Sequence, residues 1–275
     1  MPKNNVRVLF LGDIVGPIGR RVVKYYLNYY KEKENIDFVI ANGENATHGR
    51  GISFNHYNEL INSGVDCLTS GNHFFENRDY LKDEYNFSSM IRPINFDEDC
   101  PLKGSEIFTL KDNTKIRVSN AIGRVFLNQA QYNPFYMLYN LTNEEDVIHI
   151  VDFHAEATAE KRVLSEYLDG KVSAVIGTHT HVQTNDAKLL KEGTFFLTDA
   201  GMNGEYDSVL GTIKDNSIYK TVTLMPAKFE TNETGDGLLN GVILDIDKES
   251  KKVTSFKLLN EVILKEELYK NSLWM

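Results

Sequence analysis

Two of the seven histidines fall in one tetrapeptide, Thr178-His179-Thr180-His181, directly after the apolar run Val172 to Ile176. Two residues apart in a turn, both imidazoles can aim at one region, and neutral imidazole suits Zn, Fe or Mn. Four more segments share this form, an apolar run ending in metal-binding residue types: Gly12-Asp13, Asn42-Gly43-Glu44-Asn45, Gly71-Asn72-His73 and Val151-Asp152-Phe153-His154. A carboxylate such as Asp13 at the end of a buried strand is costly unless it is paired or metal-bound; the competing reading is a cap on the next helix. Glu44 could bridge two cations through its two oxygens, which a pair about 3.5–4 Å apart requires; the competing reading is a turn built on Asn42-Gly43. Asn72 offers a neutral oxygen to a hard cation, and His73 either binds metal or stands beside it as an acid. Five such segments together predict a dinuclear metal centre acting on a phosphate ester.

The elements around these clusters must bring them to one place. Val6 to Leu11, Asp37 to Ala41 and Val65 to Ser70 read as buried strands. Helical segments over Pro17 to Glu32, Phe54 to Ser63 and Asn77 to Tyr85 separate or follow them. Ser53 is a candidate cap and Gly64 a stop for the second of these. This β-α-β-α-β-α order is the signature of a mostly parallel sheet, which holds its sites at the carboxyl ends of its strands. Tyr25, Tyr26, Tyr29 and Tyr30 form an aromatic stripe at helical spacing, read as core packing.

The middle of the chain changes character. Ser105 to Leu110 and Lys115 to Ser119 alternate and are joined through Asp112-Asn113, a hairpin signal. Val147 to Phe153 and Val172 to Ile176 are buried strands around a helix from Thr158 to Leu168, closed by Gly170. By alternation His154 shares a face with Asp152, while His149 points with Val151 and Phe153 and reads as a structural histidine. His48 and His56 have no such placement and read as loop or surface residues. Strands are expected over Phe195 to Leu197, Tyr219 to Leu224, Gly241 to Ile246 and Val253 to Lys257. The sum is an α/β protein with two mixed β-sheets packed face to face and flanked by helices, read as one domain over residues 1–275.

Bulk properties remove several classes. The net charge is −9, the wrong sign for the broad basic face that long nucleic acid needs. No run approaches the roughly 18 apolar residues of a membrane span. Cys67 and Cys100 are too few for a disulfide framework, and a reducing cytoplasm is the expected compartment. Gly12, Gly16 and Gly19 have the wrong spacing for a dinucleotide loop. The oligomeric state is open, a homo-oligomer included.

In order, Gly12-Asp13, Asn42-Gly43-Glu44-Asn45, Gly71-Asn72-His73, His154 and Gly177-Thr178-His179-Thr180-His181 resemble the calcineurin-like metallophosphoesterases. Of these the chain is most similar to the YmdB-like branch, with phosphodiesterases toward 2′,3′-cyclic nucleotides. That branch shares three departures from the wider pattern: Asp13-Ile14-Val15 in place of Asp-x-His, Glu44 in place of a bridging Asp, and Phe74 after His73. The resemblance implies one metal held by Asp13, Glu44 and His181 and a second held by Glu44, Asn72, His154 and His179, the ions being Fe, Mn or Zn, divalent or of mixed valence. It also implies attack on a small phosphodiester or cyclic nucleotide by hydroxide generated between the metals, with His73 protonating the leaving group and Asn45 orienting phosphate. A second class is a regulatory protein that uses the metal site for sensing or for contact with RNA-processing partners, with weak broad phosphatase activity; the complete ligand set favours the enzyme.

Overall fold

The computed structural model describes residues 4–82, 86–143 and 146–270. In chain order, β1 (Asn5–Val15), α1 (Gly16–Tyr30), β2 (Phe38–Asn45), α2 (Phe54–Asn62) and β3 (Cys67–Thr69) form the first βα series. There follow β4 (Ser105–Thr109), β5 (Lys115–Ile122), α3 (Pro134–Asn140), β6 (Ile148–His154), α4 (Thr158–Tyr167), β7 (Ala174–Thr178), β8 (Lys188–Leu189) and β9 (Phe195–Leu197). The chain ends with β10 (Met202–Glu205), α5 (Lys214–Thr223), β11 (Gly237–Asp247), β12 (Val253–Ile263) and α6 (Lys265–Tyr269). One six-stranded sheet has the order β12-β11-β10-β1-β2-β3 and the other β4-β5-β6-β7-β9-β8. Both are mixed: β1, β2 and β3 run parallel, as do β5, β6, β7 and β9, while β11, β12, β4 and β8 pair antiparallel.

Period-two alternation sorts the apolar side chains into three layers. Val8, Phe10 and Ile40 of the first sheet meet Ile148, Ile150, Ile176 and Leu197 of the second in the space between the sheets. Leu9, Leu11 and Val39 face the other way, against Val22, Val23 and Tyr26 of α1 and Leu60 of α2. Val151, Phe153 and Val175 pack outward on Leu164 of α4 and Leu138 of α3. Of the tyrosine stripe, Tyr26 is core, Tyr25 and Tyr30 pack against its edge, and Tyr29 is half exposed. Among the described residues no helix is long and apolar enough to cross a membrane.

Two expected elements differ. The segment from Tyr219 to Leu224 is helical, belonging to α5 rather than to a strand. Its β-branched and aromatic residues suggested a strand, but no residue of α5 is buried, so no sheet face holds them and so weak a propensity does not decide. In place of a helix over 77–85 there is a single 3₁₀ turn, Asp79–Leu81, preceded by another at Phe74–Glu76, and residues 83–85 lie outside the described ones. The Asn77 side chain accepts from Asp79 N, and Asp79 in turn accepts from Phe54 N at the start of α2. Such local bonds compete with helix. The helix α3, capped by Asn133 on Phe135 N, was not expected at all.

Two buried polar contacts tie strands to their neighbours. His149 donates or accepts at Ser119 Oγ across β5 and β6, 2.8 Å away. Burial, with Arg117 nearby, pushes its imidazole down to about 3. Lys161 of α4 is buried with Asp199, their Nζ and Oδ2 atoms 2.7 Å apart, and also donates to Thr178 O at 2.8 Å. Asp199 Oδ2 accepts further from Thr180 N and Thr180 Oγ1, so this ion pair anchors the turn that carries His179 and His181.

Both contacts predict measurable stability effects. A histidine depressed in the fold stays neutral while the unfolded chain takes up a proton, so stability is full above about pH 6.5 and falls toward pH 3. At pH 5 the loss from His149 is about 2 kcal/mol; urea unfolding of His149→Gln at pH 7.5 and pH 5 is expected to show a pH dependence shallower by that amount. Lys161→Met strands a buried carboxylate and is expected to cost about 3–5 kcal/mol. Adding Asp199→Asn is expected to return part of that loss in the same unfolding assay; a double variant as unstable as the sum of the singles contradicts the pairing.

Candidate metal centre

The ends of β1, β2, β6 and β7 and the turn after β3 meet at one edge of the sandwich. Strict alternation from Leu9 and Leu11 would point Asp13 toward α1. A register irregularity between β1 and β2 at Leu11–Asp13 turns it inward instead, as bulges beside active sites do. Asp13 Oδ2 then accepts from His179 N at 3.0 Å, joining the two sheets. Gly71 is needed for space: a Cβ there would run into the Glu44 carboxylate and the His154 ring. His179 and His181 hold positive φ angles of 100° and 66°, a strained backbone that functional turns maintain.

Two groups of ligand atoms result, each with all its atoms within 4.8 Å of one another: Asp13, Glu44 and His181, and Glu44, His154 and His179. Glu44 belongs to both. His154 Nε2 lies 3.1 Å from Glu44 Oε1, 3.0 Å from His179 Nδ1 and 3.0 Å from Asn72 Oδ1. One ring nitrogen carries at most one proton, so it cannot donate to all three. A cation with ligands at about 2.1 Å sets neighbouring ligand atoms about 3.0–3.4 Å apart. The observed spacing fits that geometry.

In each of these histidines the nitrogen turned away from the ligand atoms has its own partner. His154 Nδ1 lies 2.9 Å from Thr178 Oγ1, His179 Nε2 lies 3.1 Å from Glu156 Oε2, and His181 Nδ1 lies 3.0 Å from Leu210 O. A carbonyl such as Leu210 O can only accept, so His181 Nδ1 donates to it and Nε2 is the nitrogen left for the site. Such outer contacts orient metal-binding imidazoles.

Electrostatics support the same reading. Asp13 and Glu44 are fully buried. Burial pushes the Asp13 carboxyl up to about 7 despite His181 and His154 nearby, and its Oδ1 has no hydrogen-bond partner. Burial also opposes ionisation of Glu44, but His154 beside it holds it below the usual carboxylate range. Against the same burial, Glu44 lifts His154 to about 9. Burial and the neighbouring His154 lower His179 to about 3, which keeps it a neutral donor. Two buried carboxylates, one with an orphan oxygen, are therefore balanced by little more than one imidazole. This donor set fits divalent cations, which carry the missing positive charge.

His73 is at the site but in neither ligand group. Its backbone N donates to Glu44 Oε2 at 3.1 Å, and its ring lines the adjoining cavity with Nδ1 3.8 Å from Glu76 Oε1. Asn45 Nδ2 lies 3.0 Å from Glu44 Oε1 and 3.1 Å from His181 Nε2. His149 lies near the start of β6, at the other end of the strand from His154, and is in neither ligand group; His48 is exposed and His56 half-buried against Thr47 Oγ1. Sequence reading missed Lys161, Asp199 and Glu156 and the part played by Asp152. Asp199 alone carried a signal, since Phe195-Phe196-Leu197-Thr198-Asp199 is another apolar run ending in an acid.

Known proteins resemble this chain in sequence and in fold. A "2′,3′-cyclic-nucleotide 2′-phosphodiesterase" of Bacillus subtilis is 42% identical over 256 residues, spanning 92% of this chain and 96% of the relative. The crystal structure of a novel phosphatase from Mycoplasma pneumoniae superposes with a TM-score of 0.88 at 36% identity, covering 98% of this chain and 97% of the other. A hypothetical protein from Thermus thermophilus superposes with a TM-score of 0.85 at 34% identity, covering 94% and 100%. The family described as YmdB-like protein matches residues 9–259, and this chain belongs to that family.

Proposed function

We propose that this chain is a metal-dependent phosphodiesterase acting on small phosphodiesters of the 2′,3′-cyclic nucleotide class, at a pair of cations drawn from Fe, Mn and Zn. The observation that carries the reading is the buried carboxylate of Glu44, common to two compact groups of ligand atoms. The name of the Bacillus relative, matched over nearly its whole length, supports the substrate class. Asp13, Glu44 and His181 hold one cation; Glu44, Asn72, His154 and His179 hold the other. A half-turn of the Asn45 amide puts its carbonyl oxygen beside Glu44 and His181, which favours a place on the first cation over a role in orienting phosphate. When bound, the ions supply Lewis acidity and a nucleophile at neutral pH.

The chain's own groups shape the rest of the reaction. His73 stands outside both ligand groups with its ring on the cavity, where it donates a proton to the leaving alkoxide. The cavity beside the centre has a volume of about 750 Å³, within the range of small-ligand sites. One wall is α5, which turns Asn216, Ser217, Lys220 and Thr221 toward the cavity. Its apolar Ile218, Tyr219 and Val222 face solvent instead, 54%, 49% and 76% exposed. A helix that packs a core does the reverse, so this orientation favours ligand recognition. Leu210 and Phe229 add apolar surface suited to a nucleobase. Donors from both sheets meet at the one centre, and we treat the chain as a single catalytic domain. Both cysteines are free thiols, in keeping with a reducing cytoplasm.

Hydrolysis of bis-p-nitrophenyl phosphate and of 2′,3′-cyclic AMP, with elemental analysis of the pure protein, tests the reading. Glu44→Gln is expected to keep the fold and lower kcat by about 100-fold or more, because the shared group loses its charge; normal turnover by that variant refutes the bridging role. His73→Ala is expected to keep its metal and lose about 10²–10⁴-fold in kcat. Loss of metal from that variant instead makes His73 a ligand.

A further inference from the structure

Asp152 is a fully buried carboxylate that belongs to neither group of ligand atoms. Three donors face it. Its Oδ2 is 3.0 Å from Asn42 Nδ2 and 2.5 Å from Thr69 Oγ1, and its Oδ1 is 2.7 Å from Thr178 Oγ1. The orientation of the Asn42 amide is set from its other end, where Asn42 Oδ1 accepts from Glu44 N at 3.1 Å. Asn42 therefore presents its NH₂ group to Asp152 and to Ser70 O. Both oxygens accept from these donors; burial pushes the Asp152 carboxyl up, and His154, Thr178, Thr69 and Asn42 act against that by favouring the carboxylate.

We propose that Asp152 and Thr178 form a directional hydrogen-bond relay that holds one proton on His154 Nδ1 and so leaves Nε2 to the cation, making Asp152 a positioning residue for one cation of the pair. The inference rests on the metal centre proposed above. Thr178 has one hydroxyl proton and spends it on Asp152 Oδ1. Its oxygen can then only accept from His154 Nδ1, at 2.9 Å. With one proton fixed on Nδ1, Nε2 is the position that faces Asn72 Oδ1, Glu44 Oε1 and His179 Nδ1 and that gives up its proton when a cation binds. Polarity thus passes from Asn42 and Asp152 through a hydroxyl to the imidazole.

An Asp152→Asn change reverses this order without changing shape. The new amide must turn its oxygen to the Asn42 NH₂ group, because two NH₂ groups cannot pair. Its own NH₂ group then donates to Thr178 Oγ1, and Thr178 donates to His154 Nδ1. The ring proton moves to Nε2, where it blocks the ligand position. His154 belongs only to the group with Glu44 and His179, so one cation is affected and not both.

The test is Mn²⁺ titration of chelator-treated full-length protein, with ions per chain and dissociation constants measured for wild type, Asp152→Asn, Thr178→Val and Thr178→Ser. Wild type is expected to bind two ions. Asp152→Asn and Thr178→Val are expected to keep one at near-normal affinity and to bind the other 10–100-fold more weakly. Thr178→Ser, which keeps the hydroxyl, is expected to restore it; thermal unfolding of the metal-free proteins separates this from loss of fold. Should Asp152→Asn not fold, the Thr178→Val and Thr178→Ser pair decides. Equal affinity for both ions in the folded Asp152→Asn or Thr178→Val protein overturns the relay, as does failure of Thr178→Ser to restore binding. A wild type that binds no Mn²⁺, Fe²⁺ or Zn²⁺ overturns the metal centre itself.

Discussion

The burial of two carboxylates side by side is the constraint that organises this protein. Asp13 and Glu44 sit at the ends of neighbouring parallel strands, out of contact with solvent. Taking such charges out of water costs several kcal/mol each unless opposite charge and hydrogen bonds replace the lost hydration. The surroundings supply imidazoles, an amide and backbone N–H groups, yet leave Asp13 Oδ1 with no hydrogen-bond partner among the described residues. That arrangement makes sense where cations complete it.

The fold meets the constraint by bringing polar ends out of an apolar sandwich. Between the sheets, Phe10, Ile40, Ile150 and Ile176 hold the strands in register. Two to four residues further along, the same strands present Asp13, Asn42, Glu44, Asp152 and His154. Regular pleating alone could not achieve this. The irregularity at Leu11–Asp13 re-aims one carboxylate, and the missing side chain at Gly71 lets Glu44 approach His154. Rigidity comes from the apolar layers, and aim comes from local departures from regularity.

Around the ligand atoms lies a second set of contacts whose business is proton placement and loop geometry. Leu210 O, Glu156 and Thr178 each occupy the outward nitrogen of one imidazole. The Lys161–Asp199 pair holds the backbone between two of those imidazoles. The helix α5 stands apart, with no buried residue and a polar face over the cavity. Its sequence serves the site rather than the core, which is why it defied a reading based on core-facing patterns.

The sequence by itself determined most of the strands, the two-sheet class and the residue types able to bind metal. That information is local: alternation of period two marks a strand, and a strand end marks where a polar residue can reach a ligand. It reached Asp13, Glu44, Asn72, His154, His179 and His181, each of which lies in a short segment at the end of an apolar run. It failed for Lys161, which lies mid-helix, and for Leu210, which acts through a backbone carbonyl that carries no side-chain identity. Glu44 was already expected to be shared by two cations, and it belongs to both ligand groups; only the tertiary structure decided that Asp13 turns inward and that Asp152 faces Thr178 rather than a cation. Strand order, one register shift and the hydrogen-bond polarity of groups more than a hundred residues apart settle those points, and no local pattern encodes them.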